Sequence, residues 1–215
     1  PTGSVNISHG NLTFADGENG SNYSYASGTL GANSGKFYWE TKVVDLAEID
    51  QVGVALASSS FMSAANSNGL QATTYGGKGC QFSNGYKVGD GSGGAHMGGF
   101  SADDYIMVAL NMDDGEITFG RNGAWSEADG SSDAAFGSAT AAFTDLETGQ
   151  FYHPAHCMRD SAGNNSGTVA YNFGGAFNEN FANAVETDAN GYGHFEYAVP
   201  SGYYSLCSKN LAEYG

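Results

Sequence analysis

Residues 104–125, DYIMVALNMDDGEITFGRNGAW, constrain the fold more than any other stretch. Side chains alternate between the two faces of a strand, so Ile106, Val108, Leu110 and Met112 share one face. Tyr105, Met107, Ala109 and Asn111 take the other. Both faces are largely apolar, which predicts a strand covered on both sides. Asp114-Gly115 offers the residues of a tight hairpin turn. A two-residue turn there sets Met112 opposite Ile117, Leu110 opposite Phe119 and Asp113 opposite Glu116, with the apolar faces matched. Asn122-Gly123 supplies a second turn before Trp125. More strands are needed to cover this pair.

The rest of the chain can supply them. Glycine is frequent, 33 of 215 residues, proline is rare at 3, and there are 13 Tyr and 13 Phe. Without long Ala/Leu/Glu/Lys runs, such a chain leans to an all-β fold with many turns. Hydrophobic residues make up 40 %, enough for a sizeable core without disulfide staples. Cys80, Cys157 and Cys207 form no ligand cluster or disulfide framework and read as core thiols. Seven basic against 23 acidic residues give a net charge of −16. That balance argues against nucleic acid and anionic membranes, which need clustered Lys and Arg. No stretch has the length or apolarity of a membrane helix. The opening Pro1, and the absence of a visible signal peptide, suit a processed product or a segment of something longer.

Strands are expected near 11–15 and 22–30. The clearest single strand is Gly35–Val44, with Phe37, Trp39, Thr41 and Val43 on its apolar face. Tyr38, Glu40, Lys42 and Val44 form a face expected to be half exposed. Gln51–Ala57 follows, with Gly53, Ala55 and Ala57 small enough to pack beneath another element. Short strands are expected at Ala72–Tyr75 and Gln81–Tyr86, and loops at Ser58–Leu70 and Gly89–Gly99. The second loop lacks the Gly-Lys-Ser/Thr ending of a phosphate cradle. Later strands are expected at Phe151–Cys157, Thr168–Phe173 and Tyr203–Cys207. Between the last two lies an excursion over 178–197, with a short helix near Asn180–Val185. No internal repeat and no linker divides the chain.

Five segments carry a resemblance. They are Gly35-Lys36-Phe37-Tyr38-Trp39-Glu40; Val52-Gly53-Val54-Ala55; Ile106–Met112 with Asp113, Gly115, Phe119 and Asn122-Gly123; Phe151-Tyr152-His153-Pro154-Ala155; and Val169–Asn172 with Phe173-Gly174. In this order they resemble the SPRY (B30.2-like) domain, over about residues 5–211, with a loop insertion at about 176–199 in a single domain. The ending, Asp188–Phe195 and then Pro200-Ser201-Gly202-Tyr203 to Asn210-Leu211, resembles SPRY-type domains of bacteriophage structural proteins. The resemblance implies an antiparallel two-sheet β-sandwich related to the concanavalin-like jelly roll, with partner-binding loops at one rim. In animal SPRY proteins the partners are peptides or other proteins. In phage particles the module sits on tail fibres, spikes or capsid surfaces.

Side-chain chemistry gives less. His153 and His156 lie three apart on a strand and point to opposite faces, a poor joint metal site. No G-x-S-x-G elbow is present. Glu40 and Glu116 are the strand-borne carboxylates for a glycosidase reading, and both read as solvent-facing. Asp188-x-Asn190-Gly191 alternates oxygen ligands but lacks the later acidic ligand of a calcium loop. Asp113-Asp114 and Asp103-Asp104 read as turn chemistry. Asn6, Asn11, Asn22 and Asn164 begin N-x-S/T triplets, which a Ser/Thr-rich chain produces by chance. Trp125, Tyr75, Tyr86 and Tyr192 lie near turns, where rings could stack on sugars or partners.

The expectation is a non-enzymatic virion protein without cofactor or metal. Its partners are other virion proteins, or a host surface glycan or receptor, and homo-oligomers are compatible with it. Nucleic acid and membrane insertion are not expected. The alternatives are a bacterial protein-interaction module on no particle, and a carbohydrate-active enzyme on the same sandwich.

Overall fold

The computed structural model describes residues 5–16, 23–57, 69–72, 76–89, 92–127, 130–131, 133–159, 167–175 and 182–215. In chain order its strands begin with β1 (Val5–Ser8), β2 (Thr13–Asp16), β3 (Ser24–Ser27), β4 (Lys36–Asp45) and β5 (Ile49–Leu56). Then come β6 (Lys78–Gln81), β7 (Tyr86–Gly89), β8 (Ser92–Ala95), β9 (Tyr105–Asn111) and β10 (Glu116–Arg121). The chain closes with β11 (Ala124–Trp125), β12 (Tyr152–Arg159), β13 (Thr168–Asn172), β14 (Tyr204–Ser205) and helix α1 (Ser208–Tyr214). Among the described residues these make two sheets. An eight-stranded sheet runs β1-β2-β13-β4-β9-β10-β11, with β14 beside β4, and a six-stranded sheet runs β3-β12-β5-β6-β7-β8. All pairings are antiparallel except β14 with β4. The fold class expected from the sequence, an antiparallel two-sheet sandwich, is the one found.

The main core lies between the sheets. Phe37, Trp39 and Val43 of β4, Ile106, Val108 and Leu110 of β9, and Phe119 of β10 pack with Val52 and Val54 of β5 and Met158 of β12. Burying each such side chain is worth about 1.5–3 kcal/mol. Both outer faces are covered as well. Leu70, in a 3-10 turn at Gly69–Gln71, lies over Ala55, Ala155 and Cys157 of the six-stranded sheet. Irregular chain carrying Ala134, Phe195 and Tyr203 lies over Tyr38, Met107, Ala109 and Trp125 of the eight-stranded sheet. This second layer explains why β9 is apolar on both faces and buried throughout.

The central hairpin keeps its faces but not its expected register. Leu110 pairs with Ile117 and Val108 with Phe119, and the last pair is Asn111 with Glu116. The turn therefore spans four residues instead of two. Only Gly115 in it has positive φ, at 71°, whereas a two-residue type I′ turn needs two such residues. Asn111 Oδ1 accepts the Asp114 N–H, and Asp113 Oδ1 accepts the Gly35 N–H at 2.7 Å. These side-chain bonds take up residues that the shorter turn would have left in the ladder. A register shift of two keeps the facing, so the apolar match survives. Asn122 and Gly123, with φ of 51° and 89°, do form the two-residue turn into β11.

Glu40 and Tyr38 correct the half-exposed reading of β4, because both are fully buried. Glu40 Oε1 accepts from Tyr38 Oη at 2.9 Å and the Tyr197 N–H at 2.8 Å. Its Oε2 accepts from the Glu196 N–H at 2.9 Å and Asn172 Nδ2 at 3.3 Å. Asn172 pairs with Glu40 across β13 and β4, and also donates to the His194 carbonyl at 2.7 Å. Two of the sequence motifs thus meet on neighbouring strands and hold the 194–197 segment over the sheet. Burial outweighs the four donors and raises the Glu40 carboxyl above its ordinary range.

Other expectations shift locally. Gln81–Tyr86 is mainly the turn between β6 and β7 instead of a strand. Gly89–Gly99 is partly strand β8, and its His96 and Met97 are buried. The expected last strand shortens to Tyr204–Ser205, and a helix follows that no periodicity announced. Cys80 and Cys157 are buried, but Cys207 is half exposed. Residues 182–185 are not helical. Residues 58–68, 73–75 and 176–181 lie outside the described residues.

Glu40→Gln turns an N–H₂ toward these donors and lowers the unfolding free energy by about 3 kcal/mol in a urea titration. Glu116→Gln, on a half-buried residue, changes it by less than about 0.5 kcal/mol. Equal losses would contradict the role given to Glu40.

Candidate partner-binding groove

The two sheets part at one edge, where β1 and β2 of one sheet face β3 and β12 of the other. Two adjoining cavities of about 510 and 410 Å³ share Leu12, Leu30, Phe173 and Leu206, and so form one groove. Its floor is aromatic. The rings of Phe14 and His156 lie 4.9 Å apart, and Tyr171 stacks on Phe173 at 5.6 Å and 13°. His156 Nδ1 and Tyr171 Oη are 3.0 Å apart. Burial, reinforced by Cys157 and Asp50, holds the Tyr171 phenol well above its ordinary range, so it remains a hydroxyl. The lips are aliphatic and open. Ile7 of β1 is 38 % exposed, and Leu30 beyond β3 is 40 % exposed.

Strand order makes this groove. β1 and β3 are the terminal strands of their sheets at this edge. Among the described residues each has a strand partner on one side only. Terminal strands beside an apolar channel suit an extended peptide, whose side chains fill the channel while its main chain runs along an edge.

The four ring candidates separate. Trp125 is a correction, since only 4 % of it is exposed. It packs edge-on against Phe136 at 4.8 Å and at a tilt against Tyr38 at 6.3 Å, so it offers no free face. Its nearness to a turn misled because the 134–139 segment folds back over it, with an Ala134 bridge. Tyr75 lies outside the described residues. Tyr86 is 42 % exposed at the start of β7. Tyr192 lines the second part of the groove, with the Lys209 ammonium 4.3 Å from its ring centre. Of the three that are described, Tyr192 alone lies in the groove. Ile7, Leu12, Leu30 and Leu206 were not foreseen; a lone large apolar residue in a polar, glycine-rich run was the available signal.

Asp188 and Asn190 do not share one ligand cluster. Asp188 Oδ1 accepts the N–H groups of Asn190 and Tyr192, and Oδ2 accepts from Ser205 N–H and Oγ and Asn210 Nδ2. Asn190 instead reaches Asn210 and Tyr214. Burial alone would raise the Asp188 carboxyl, but these donors hold it below its ordinary range. The carboxylate pins the closing strand and α1 to the excursion. Among the described residues no three His, Cys, Asp or Glu side chains converge as a metal site. No helix among them is long and apolar enough to cross a membrane.

With this geometry in place, the chain can be compared with known proteins. No protein-family model matches it, and no curated protein matches it by sequence. Solved structures do match. The SPRY domain of human HERC1 aligns with a TM-score of 0.58 and 18 % identity, over 78 % of this chain and 91 % of that one. A second human SPRY domain aligns with a TM-score of 0.55 and 15 % identity, over 78 % of this chain and 93 % of that one.

The fold is that of a SPRY domain.

At such identity the SPRY-like sandwich fixes the architecture, and the ligand has to be argued from the site.

Because the folded Asp188 carboxyl is depressed, its contribution is present above the ordinary value of 3.8 and is lost as pH falls through the folded value. Asp188→Asn therefore flattens the acid limb of a stability–pH curve. Millimolar calcium leaves the melting temperature of the unmodified chain unchanged. A calcium-dependent rise lost in Asp188→Asn would restore the metal reading.

Proposed function

We propose that the chain is a non-enzymatic recognition module of a virion surface, carried on a tail fibre, spike or capsid, and that the edge groove seats an extended segment of another particle protein. The observation that carries this reading is the preformed aromatic-floored groove between the terminal strands of the two sheets. Its aliphatic lips call for an apolar segment, and the chain's charge of −16 favours basic residues beside it. SPRY-like architecture supports a binding role, and the closing motif Pro200-Ser201-Gly202-Tyr203 supports the particle setting. A surface that faces outward from the particle would meet the host's glycans or receptor.

The polar groups carried by the groove's aromatic floor do not favour hydrolysis. Tyr171, His156 and Asp50 form a hydroxyl–imidazole–carboxylate row. However, His156 Nε2 is 3.9 Å from Asp50 Oδ1, beyond hydrogen-bond reach, and burial keeps the Tyr171 phenol protonated. Glu40, one of the two carboxylates considered for glycoside cleavage, is sealed by four donors.

Co-sedimentation with purified particles tests both parts. The unmodified chain is expected to sediment with them. Leu30→Asp and Ile7→Asp are expected to weaken this at least tenfold, in line with loss of about 1.4 kcal/mol or more of apolar contact. Val44→Asp is the control, since Val44 is 43 % exposed outside the groove. Unimpaired Leu30→Asp and Ile7→Asp variants overturn the groove assignment. An unmodified chain that stays in the supernatant overturns the particle assignment.

A further inference from the structure

A second concavity, of about 670 Å³, lies beside the turn of the central hairpin and shares no lining residue with the groove. Four segments wall it, and each is fastened in place. At the hairpin end, Asn111 Nδ2 donates to Asp114 Oδ2 at 2.7 Å, and Lys36 Nζ stands 3.5 Å from the same oxygen. The 3-10 turn at Phe136–Ser138 is held by the Phe136 ring, edge-on to Trp125 at 4.8 Å and to Tyr203 at 5.1 Å. The 140–144 wall is bound to β10 by the Ile117–Phe143 bridge. It is also tied to the six-stranded sheet, since the Lys78 and Lys87 ammonium groups lie 4.9 and 5.3 Å from the Phe143 ring centre. Lys87 Nζ further donates to the Ala142 carbonyl at 2.9 Å. The fourth wall is the turn in which the Tyr203 N–H donates to the Pro200 carbonyl. These ties set the walls before any ligand arrives, which lowers the cost of ordering on binding.

The lining selects a kind of ligand. Thr118, Thr140, Thr144 and Ser201 present hydroxyl side chains, and Phe136 is a half-buried ring. Glu116 also lines the cavity, and no hydrogen bond to its carboxylate is found among the described residues. Burial, with the charges of Glu116, Asp114 and Asp113, pushes the Tyr203 phenol up to about 12, so it stays protonated. Anions are disfavoured by these carboxylates. Lys36 offsets Asp114, which leaves one unpaired carboxylate among hydroxyls and so a weaker case for a polycation. Groups that both donate and accept, next to an aromatic face, match a molecule with several hydroxyls and an apolar C–H face.

We propose that this pocket binds a neutral saccharide, with Glu116 accepting hydrogen bonds from sugar hydroxyls and Phe136 stacking on a sugar C–H face. It deepens the host-facing part of the proposed function, and it rests on that reading for the source of the sugar alone, not for binding. The groove and the pocket can therefore fail separately.

The test is saturation-transfer NMR on the full chain with lactose, maltotriose and chitotriose as separate probes. Transfer to at least one is expected. Glu116→Gln is expected to weaken that sugar about tenfold, as for loss of a hydrogen bond to a charged group. Phe136→Ala is expected to weaken it too, and Thr140→Val checks the same wall should Phe136→Ala fail to fold. Leu30→Asp, in the groove, leaves sugar binding unchanged. The proposal is overturned if none of the three sugars receives transfer, or if transfer persists unchanged in both Glu116→Gln and Thr140→Val. It is also overturned if tetralysine occupies the pocket and no sugar does.

Discussion

The buried carboxylate of Glu40 is the contact on which the outer layer of the eight-stranded sheet depends. A carboxylate in an apolar interior is costly unless every lone pair finds a donor. Here Tyr38, Asn172 and two main-chain N–H groups supply them. The same bonds fasten residues 194–197, which form no regular secondary structure, across β4 and β13. Glu196 and Asp188 repeat the device within the excursion, each accepting main-chain N–H groups. An irregular segment is thereby ordered by carboxylates, not by a helix or a ladder. Phe195 and Tyr203 can then cover a sheet face that would otherwise expose Tyr38, Met107 and Ala109.

Two concavities follow from this arrangement, for different reasons. The groove exists because each sheet ends in a short strand at the same edge, so the core opens there onto aromatic rings. The polar pocket exists because irregular chain is laid over the outer face and leaves a gap where the hairpin turn projects. One concavity is apolar, with the terminal strands of the two sheets at its lips. The other is polar and closed off from that edge. Chemistry so different suits two kinds of partner, a protein segment on one side and a hydroxyl-rich ligand on the other.

Period-two alternation carried most of the fold. Phe37, Trp39 and Val43, and Ile106, Val108 and Leu110, were legible as core faces because a buried face leaves a plain pattern. Length of turn was not, since Asn111 and Asp113 widened the hairpin through side-chain bonds that residue preferences do not encode. Glu40 misled for a related reason. Alternation with Lys42 reads as a solvated face, and only a distant segment, 156 residues away along the chain at Glu196, turns it into an interior. The groove was hidden because its lips, Ile7 and Leu30, are isolated apolar residues in polar surroundings. Trp125 was conspicuous but serves packing.

Hydrogen exchange on the chain alone and on the chain mixed with purified particles, the setting proposed above, compares the two faces directly. If the edge groove is the attachment site, slowing on binding concentrates in residues 5–14 and 26–30, while residues 136–144 beside the polar pocket exchange as in the free chain. Slowing over 136–144 with residues 5–14 and 26–30 unchanged would reverse the assignment and make the pocket face the attachment surface.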